Sequence, residues 1–152
     1  MDIVTILIVD SLLTTCSIRE TARQESRAPS TVSAALDRME SALAVPLMRR
    51  DNASLSLTLE AQKRGGIIAE TAALARQFLA LGSGISNKSS ITFAALVRFS
   101  SAAYTGSIRA AAKNLGIGQP QLTRQLSELE RNLGCELLSC PNGITDATCH
   151  VA

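Results

Sequence analysis

A chain of 152 residues with 46% hydrophobic content can bury one ordinary core or two small ones, and its net charge of +2 neither marks nor excludes a nucleic-acid partner, which needs only a local cluster of Lys and Arg. Three phenylalanines, one tyrosine and no tryptophan leave Leu, Ile, Val and Ala to fill the cores, which favours helices. Cys16, Cys135, Cys140 and Cys149 are not spaced as a disulfide framework, and the apolar run Ile3 to Val9 is far shorter than the roughly 20 residues of a membrane span, so a soluble protein with reduced thiols, without a secretory leader, is expected.

The first predicted element is an apolar helix from Ile3 to Leu13. A short helix follows, opened by Ser17 as an N-cap whose hydroxyl can accept a free backbone N–H of the first turn. Lys63 to Leu81 reads as a long helix with Ile67, Thr71, Leu74, Phe78 and Leu81 on one stripe, widened by Ile68, Ala72, Ala75 and Leu79. Gly82 to Ser90 is a flexible connection rich in glycine and serine.

From there the pattern starts again. A shift of ninety residues lays Ser17-Ile18-Arg19 on Ser107-Ile108-Arg109, Ala22 on Ala112, Leu36 on Leu126, Glu40 on Glu130, Leu43 on Leu133, Leu47 on Leu137 and Asn52 on Asn142. The second copy opens with a helix from Phe93 to Ala103, then a short helix capped by Ser107 and carried by Ala110, Ala111, Ala112 and Leu115, then a tight turn over Gly116 to Gly118. A longer helix runs from Gln119 to Asn132 with Pro120 in its first turn, where a missing N–H costs nothing. Leu122, Leu126, Leu129 and Leu133 form its buried stripe; Gln121, Thr123, Arg124 and Gln125 lie off it. Gly134 to Leu138 turns the chain toward a short hairpin or wing.

Two helices joined by a short glycine turn, the second polar in front and leucine-rich behind, make a helix-turn-helix. Ser107 to Ala112, Leu115 to Leu126, Leu129-Glu130 and Leu133-Gly134 resemble, nearly position for position, the winged helix-turn-helix of LysR-type transcriptional regulators. The resemblance is strong from Ile91 to Leu138 and looser from Asp2 to Gln62, where the wing residues Leu47-Met48-Arg49-Arg50 and Leu57-Thr58 also match. In the first copy Ala34 replaces the arginine of the reading helix, Pro29-Ser30 replaces Gln-Pro, and Glu25 and Arg27 stand where the family keeps apolar residues; in the second, Ser139-Cys140 replaces the wing arginine. No segment resembles the family's effector-binding domain.

The expected fold is therefore mainly α: two tandem winged helix-turn-helix units, residues 1–62 (divergent) and 91–152 (LysR-like, with a shortened wing), joined by a linker helix and flexible connection over residues 63–90. The resemblance implies that residues matching Gln119, Pro120, Thr123 and Arg124 touch DNA. Chemistry agrees, since Arg124 can grip guanine and Gln121 or Gln125 adenine with paired hydrogen bonds. Ser107 joins this set. In the first copy Ser30, Thr31 and Ser33 can bind only singly, while Arg49 and Arg50 can hold backbone or minor groove, so that copy is a clamp, a contact module or a dimerisation domain. The resemblance also implies pairing of the linker helix with its twin, through Ile67, Leu74, Phe78 and Leu81; packing on its own units is the alternative.

The leading function is a cytoplasmic, nucleoid-associated bacterial transcriptional regulator that reads promoter DNA as a homodimer. The alternative is an interaction module that pairs with another regulator or with RNA polymerase. An enzyme is not expected, because the only histidine, His150, has no paired carboxylates or nucleophile motif around it. No cofactor is expected. A zinc site from Cys135, Cys140, Cys149 and His150 matches no metal-binding spacing, and Cys16 reads as a buried small residue. Thr5 to Asp10 resembles the first strand of a receiver domain, but consecutive helices follow it instead of alternating strands.

Overall fold

The structure, a computed structural model, describes residues 1–51, 54–81, 91–134, 136–139 and 150–151. It is mainly helical and divides into two compact units, Met1–Phe78 and Leu79–Ala152. The connection Gly82 to Ser90 lies outside the described residues, as do Cys135, Cys140 and Cys149.

In the first unit, helix α1 (Ile3–Thr15) starts at Asp2, whose carboxylate accepts from Thr5 N at 2.8 Å. It ends at Cys16 in the left-handed conformation. Ser17 then caps α2 (Ile18–Gln24) by accepting from Glu20 N at 3.3 Å. Pro29 supplies the first residue of α3 (Pro29–Leu43), with its φ already suited to a helix. Ile3, Ile6, Ile8, Val9 and Leu12 of α1 are buried, as are Val32, Ala35, Leu36 and Met39 of α3. The hairpin β1 (Met48–Asp51) and β2 (Ser54–Leu57) pairs antiparallel from Met48 with Leu57 to Asp51 with Ser54.

Helix α4 (Leu59–Leu81) begins at Leu59 rather than at Lys63. Thr58 is the reason: its hydroxyl accepts from Ala61 N at 3.1 Å, the N-cap bond, so the residue read as the end of the wing also starts the helix. Ile68, Ala72 and Ala75 are buried, and Arg76 reaches Asp10 of α1 at 2.8 Å.

The second unit repeats the three-helix arrangement. α5 (Phe93–Thr105) is capped by Thr92, α6 (Ile108–Leu115) by Ser107, and α7 (Gln119–Leu133) has Pro120 in its first turn. Ala102, Ala111, Ala112, Leu122 and Leu126 form the core, with Phe99, Ile108, Leu115, Ile117 and Leu138 packed against it. β3 (Leu138–Ser139) pairs antiparallel with β4 (His150–Val151). Among the described residues, no helix is long and apolar enough to cross a membrane.

The ninety-residue repeat extends to backbone conformation. Left-handed residues close corresponding turns at Cys16, Ser26 and Ala44 in the first unit and at Gly106, Gly116 and Gly134 in the second.

Candidate nucleic-acid interface

Helix α7 presents two chemically opposite sides. Leu122, Leu126, Leu129 and Leu133 are buried, whereas Gln119, Pro120, Gln121, Thr123 and Arg124 are all exposed in its first two turns. The Thr123 hydroxyl donates back to Gln119 O at 3.0 Å, and Arg124 makes no ion pair among the described residues. Gln125 departs from the expectation. It is half-buried and lines a small cleft with Thr92, Ala95, Arg98 and Glu128, its Oε1 closed off from solvent, so it points toward α5 and not with Arg124. Its ring of neighbours replaces a tighter apolar contact in the first unit, where Ala35 is fully buried at the same position.

Ser107 is half-buried and its oxygen accepts from Ala110 N at 3.3 Å; its hydroxyl hydrogen is the part left to donate. Five helices have side-chain caps, from Asp2, Ser17, Thr58, Thr92 and Ser107. The two without are α3 and α7, whose N-cap positions are Ala28 and Gly118. In the first turn of α3 Pro29 has no N–H and Thr31 N donates to Ala28 O at 2.9 Å, which leaves Ser30 N without a side-chain cap; in that of α7 Pro120 has no N–H, which leaves Gln119 N and Gln121 N without one.

In the first unit Ser30 is exposed, Thr31 and Ser33 are half-buried, and exposed Ala34 occupies the place of Arg124. The wing carries the cations. Arg49 is bound to Asp51, Nε to Oδ1 at 2.9 Å and an NH2 group to Oδ2 at 3.0 Å, while Ser56 donates to the same carboxylate. The Arg49 hydrogen bond first, and the Ser56 hydrogen bond second, hold the Asp51 carboxyl below its usual range. Arg50 is exposed and makes no ion pair among the described residues. It lines an open cleft of about 600 Å³ with Ser17, Arg19, Ser54 and Leu55, which brings the start of α2 beside the wing. Arg19 was visible in the sequence only as part of the repeated Ser-Ile-Arg register.

A further feature ties the wings to α3 and α7. Glu40 Oε1 accepts from Leu47 N at 2.6 Å and Met48 N at 3.1 Å, and Glu130 Oε1 accepts from Leu137 N at 2.9 Å and Leu138 N at 3.0 Å.

On α4, Ile67 is 68% and Leu74 59% exposed, Phe78 is half-buried, and the side chain of Leu81 lies outside the described residues. No group of His, Cys, Asp and Glu among the described residues could hold a metal ion.

Comparison with known proteins gives the same picture. No solved structure matches the chain. A stretch of 33 residues is 58% identical to the small neutral protease regulatory protein of Streptomyces coelicolor, covering 22% of this chain and 10% of that protein, so the chain matches only a tenth of that relative's length. The family model for bacterial regulatory helix-turn-helix proteins of the lysR family matches twice, over residues 5–62 and 93–145. Both matched segments hold the three helices and wing strand described above, and together they take in most of the chain: it belongs to the lysR family of bacterial regulatory helix-turn-helix proteins and carries that helix-turn-helix region in tandem.

Proposed function

We propose that the chain is a cytoplasmic transcriptional regulator that binds double-stranded DNA, with α7 as the helix that reads bases. The observation that carries this reading is the exposed row Gln119, Pro120, Gln121, Thr123 and Arg124 at an uncapped helix start, backed by four buried leucines. A recognition helix enters the major groove N-terminus first, so these side chains meet base edges and the open N–H groups meet phosphate. Arg124 is the principal reader, since an unpaired guanidinium can take the O6 and N7 of guanine together. Ser107 supports it at the backbone.

The first unit binds less selectively. Ser30, Thr31 and Ser33 offer single hydrogen bonds and Ala34 none, so its affinity comes from Arg50, Arg49 and the neighbouring Arg19, which address phosphate or minor groove. The exposed Ile67 and Leu74 support homodimerisation along α4, and no enzymatic activity or cofactor is part of this reading.

Measurement of DNA affinity across a salt series tests it. The expected result is a logarithmic affinity falling linearly with logarithmic salt, at about 0.9 units per phosphate contacted. An affinity absent at low salt would favour the other class of function, a module that pairs with another regulator or with RNA polymerase.

A further inference from the structure

We infer that Glu40 is a positioning residue for DNA binding: from α3 it sets the wing so that Arg49 and Arg50 face the same duplex as the reading turn. The proposal rests on the DNA-binding reading above. It starts from two buried residues at the entry to the hairpin, Leu47 and Met48, whose backbone N–H groups take their acceptor from outside it. One carboxylate oxygen, Glu40 Oε1, accepts both, at 2.6 and 3.1 Å. The carbonyl of Leu47 is held by Thr58 N at 3.0 Å, and the single hydroxyl hydrogen of Thr58 goes to Pro46 O at 2.7 Å, with Leu47 O at 3.2 Å as its weaker, shared acceptor.

Leu47 is thus gripped from α3 on one side and from the start of α4 on the other. The residues that follow directly are Arg49 and Arg50, both exposed. Moving the Glu40 carboxylate would leave these cations on the protein but at an undefined distance from the first turns of α3. The second unit supplies an independent instance, with Glu130 Oε1 taking Leu137 N and Leu138 N at 2.9 and 3.0 Å. One acceptor oxygen held at the same reach for two successive N–H groups suits a joint that must keep its angle.

The test uses three substitutions in the full chain. Glu40→Gln removes the charge but keeps an oxygen at the same reach; Glu40→Ala removes both; Glu40→Asp keeps the charge and shortens the reach. Binding to duplex DNA is read across a salt series, and hydrogen exchange is read at the Leu47 and Met48 amides, with Ile8 and Val9 as reporters of the core. Glu40→Gln should follow the wild type. Glu40→Ala and Glu40→Asp should speed exchange at residues 47 and 48 alone, and should lower the salt slope toward that of Arg49→Ala with Arg50→Ala, by up to about 1.8 units. Added to that double variant, Glu40→Ala should change binding no further.

The proposal is overturned if Glu40→Ala or Glu40→Asp loses protection at residues 47 and 48 while binding as Glu40→Gln does. It is equally overturned if Glu40→Gln fails alongside them, since charge rather than the acceptor would then be responsible. A wild-type chain without salt-dependent binding would refute the DNA reading itself, and with it this proposal, before any variant is compared.

Discussion

At the scale of single residues, Arg124 and Arg49 are cations in opposite circumstances, and the difference predicts different roles. Arg124 is exposed on α7 with no ionic partner among the described residues, so Arg124→Ala should cost about 1–3 kcal/mol on a cognate site and relax one base position. Selection of bound sequences from a random pool checks it; an unchanged preferred sequence would remove Arg124 from the reader's role. Arg49 is tied to Asp51, whose carboxyl is held below its usual range by that bond and by Ser56. A depressed carboxylate stays ionised as pH falls until its lowered pKa is reached, so this tie persists throughout the neutral range. Asp51→Asn should loosen Arg49 and remove the negative charge beside it, tightening binding to all sequences. Identical salt series for variant and wild type would contradict this. The sequence could show which residues were polar but not which way each pointed: Gln125 reads like its neighbours on α7, yet only packing against α5 reveals that its Oε1 is sealed off. Glu25 is a similar case. It departs from the family's apolar pattern, and the structure supplies the compensation, a hydrogen bond from Ser11 of α1.

At the scale of elements, the helices were legible because apolar spacing and serine caps are local signals. The start of α4 was not, because Thr58 serves two elements together: it bonds the Leu47 carbonyl as the wing closes and caps the helix that follows. A residue with two roles reads as whichever pattern reaches it first, and Gly65-Gly66 further weakens the helical signal after it. The turns carry another lesson. The first unit closes with Ala44 at φ 55°, where the second has Gly134 at φ 68°. A Cβ in the left-handed region costs roughly 1–2 kcal/mol, partly offset by the smaller entropy alanine loses on folding. Ala44→Gly should therefore stabilise the first unit by about 1 kcal/mol and raise its melting temperature by roughly 4–8 °C. Calorimetry of the full chain checks this, and a lower melting temperature for the variant would refute it.

At the scale of the whole molecule, the repeat was visible in the sequence because apolar phase survives even where letters change. Assembly was not, because a stripe on α4 can face its own unit or a second chain with the same spacing. The structure divides that stripe. Ile68, Ala72 and Ala75 are buried and Arg76 is bound to Asp10, while Ile67 and Leu74, seven residues apart and nearly in line along the helix, stand 68% and 59% exposed. Three of the six large exposed apolar side chains among the described residues, Leu59, Ile67 and Leu74, belong to α4, which singles it out as the face with most to gain from a partner. Ile67→Glu with Leu74→Glu changes two exposed side chains, so sedimentation should give a folded monomer for the variant and a dimer for the wild type. DNA should register the same change. The two units differ at corresponding exposed positions, Arg124 in one and Ala34 in the other, so on the proposed function the stretch under a single chain should be asymmetric, strongly specified beneath α7 and permissive beneath α3. Symmetry can then enter only through a second chain. The wild type should protect a palindromic pair of such stretches and the double glutamate variant a single asymmetric one, with weaker affinity. A wild type that sediments as a monomer at high concentration, or a variant whose footprint keeps its two-fold symmetry, would refute pairing through Ile67 and Leu74.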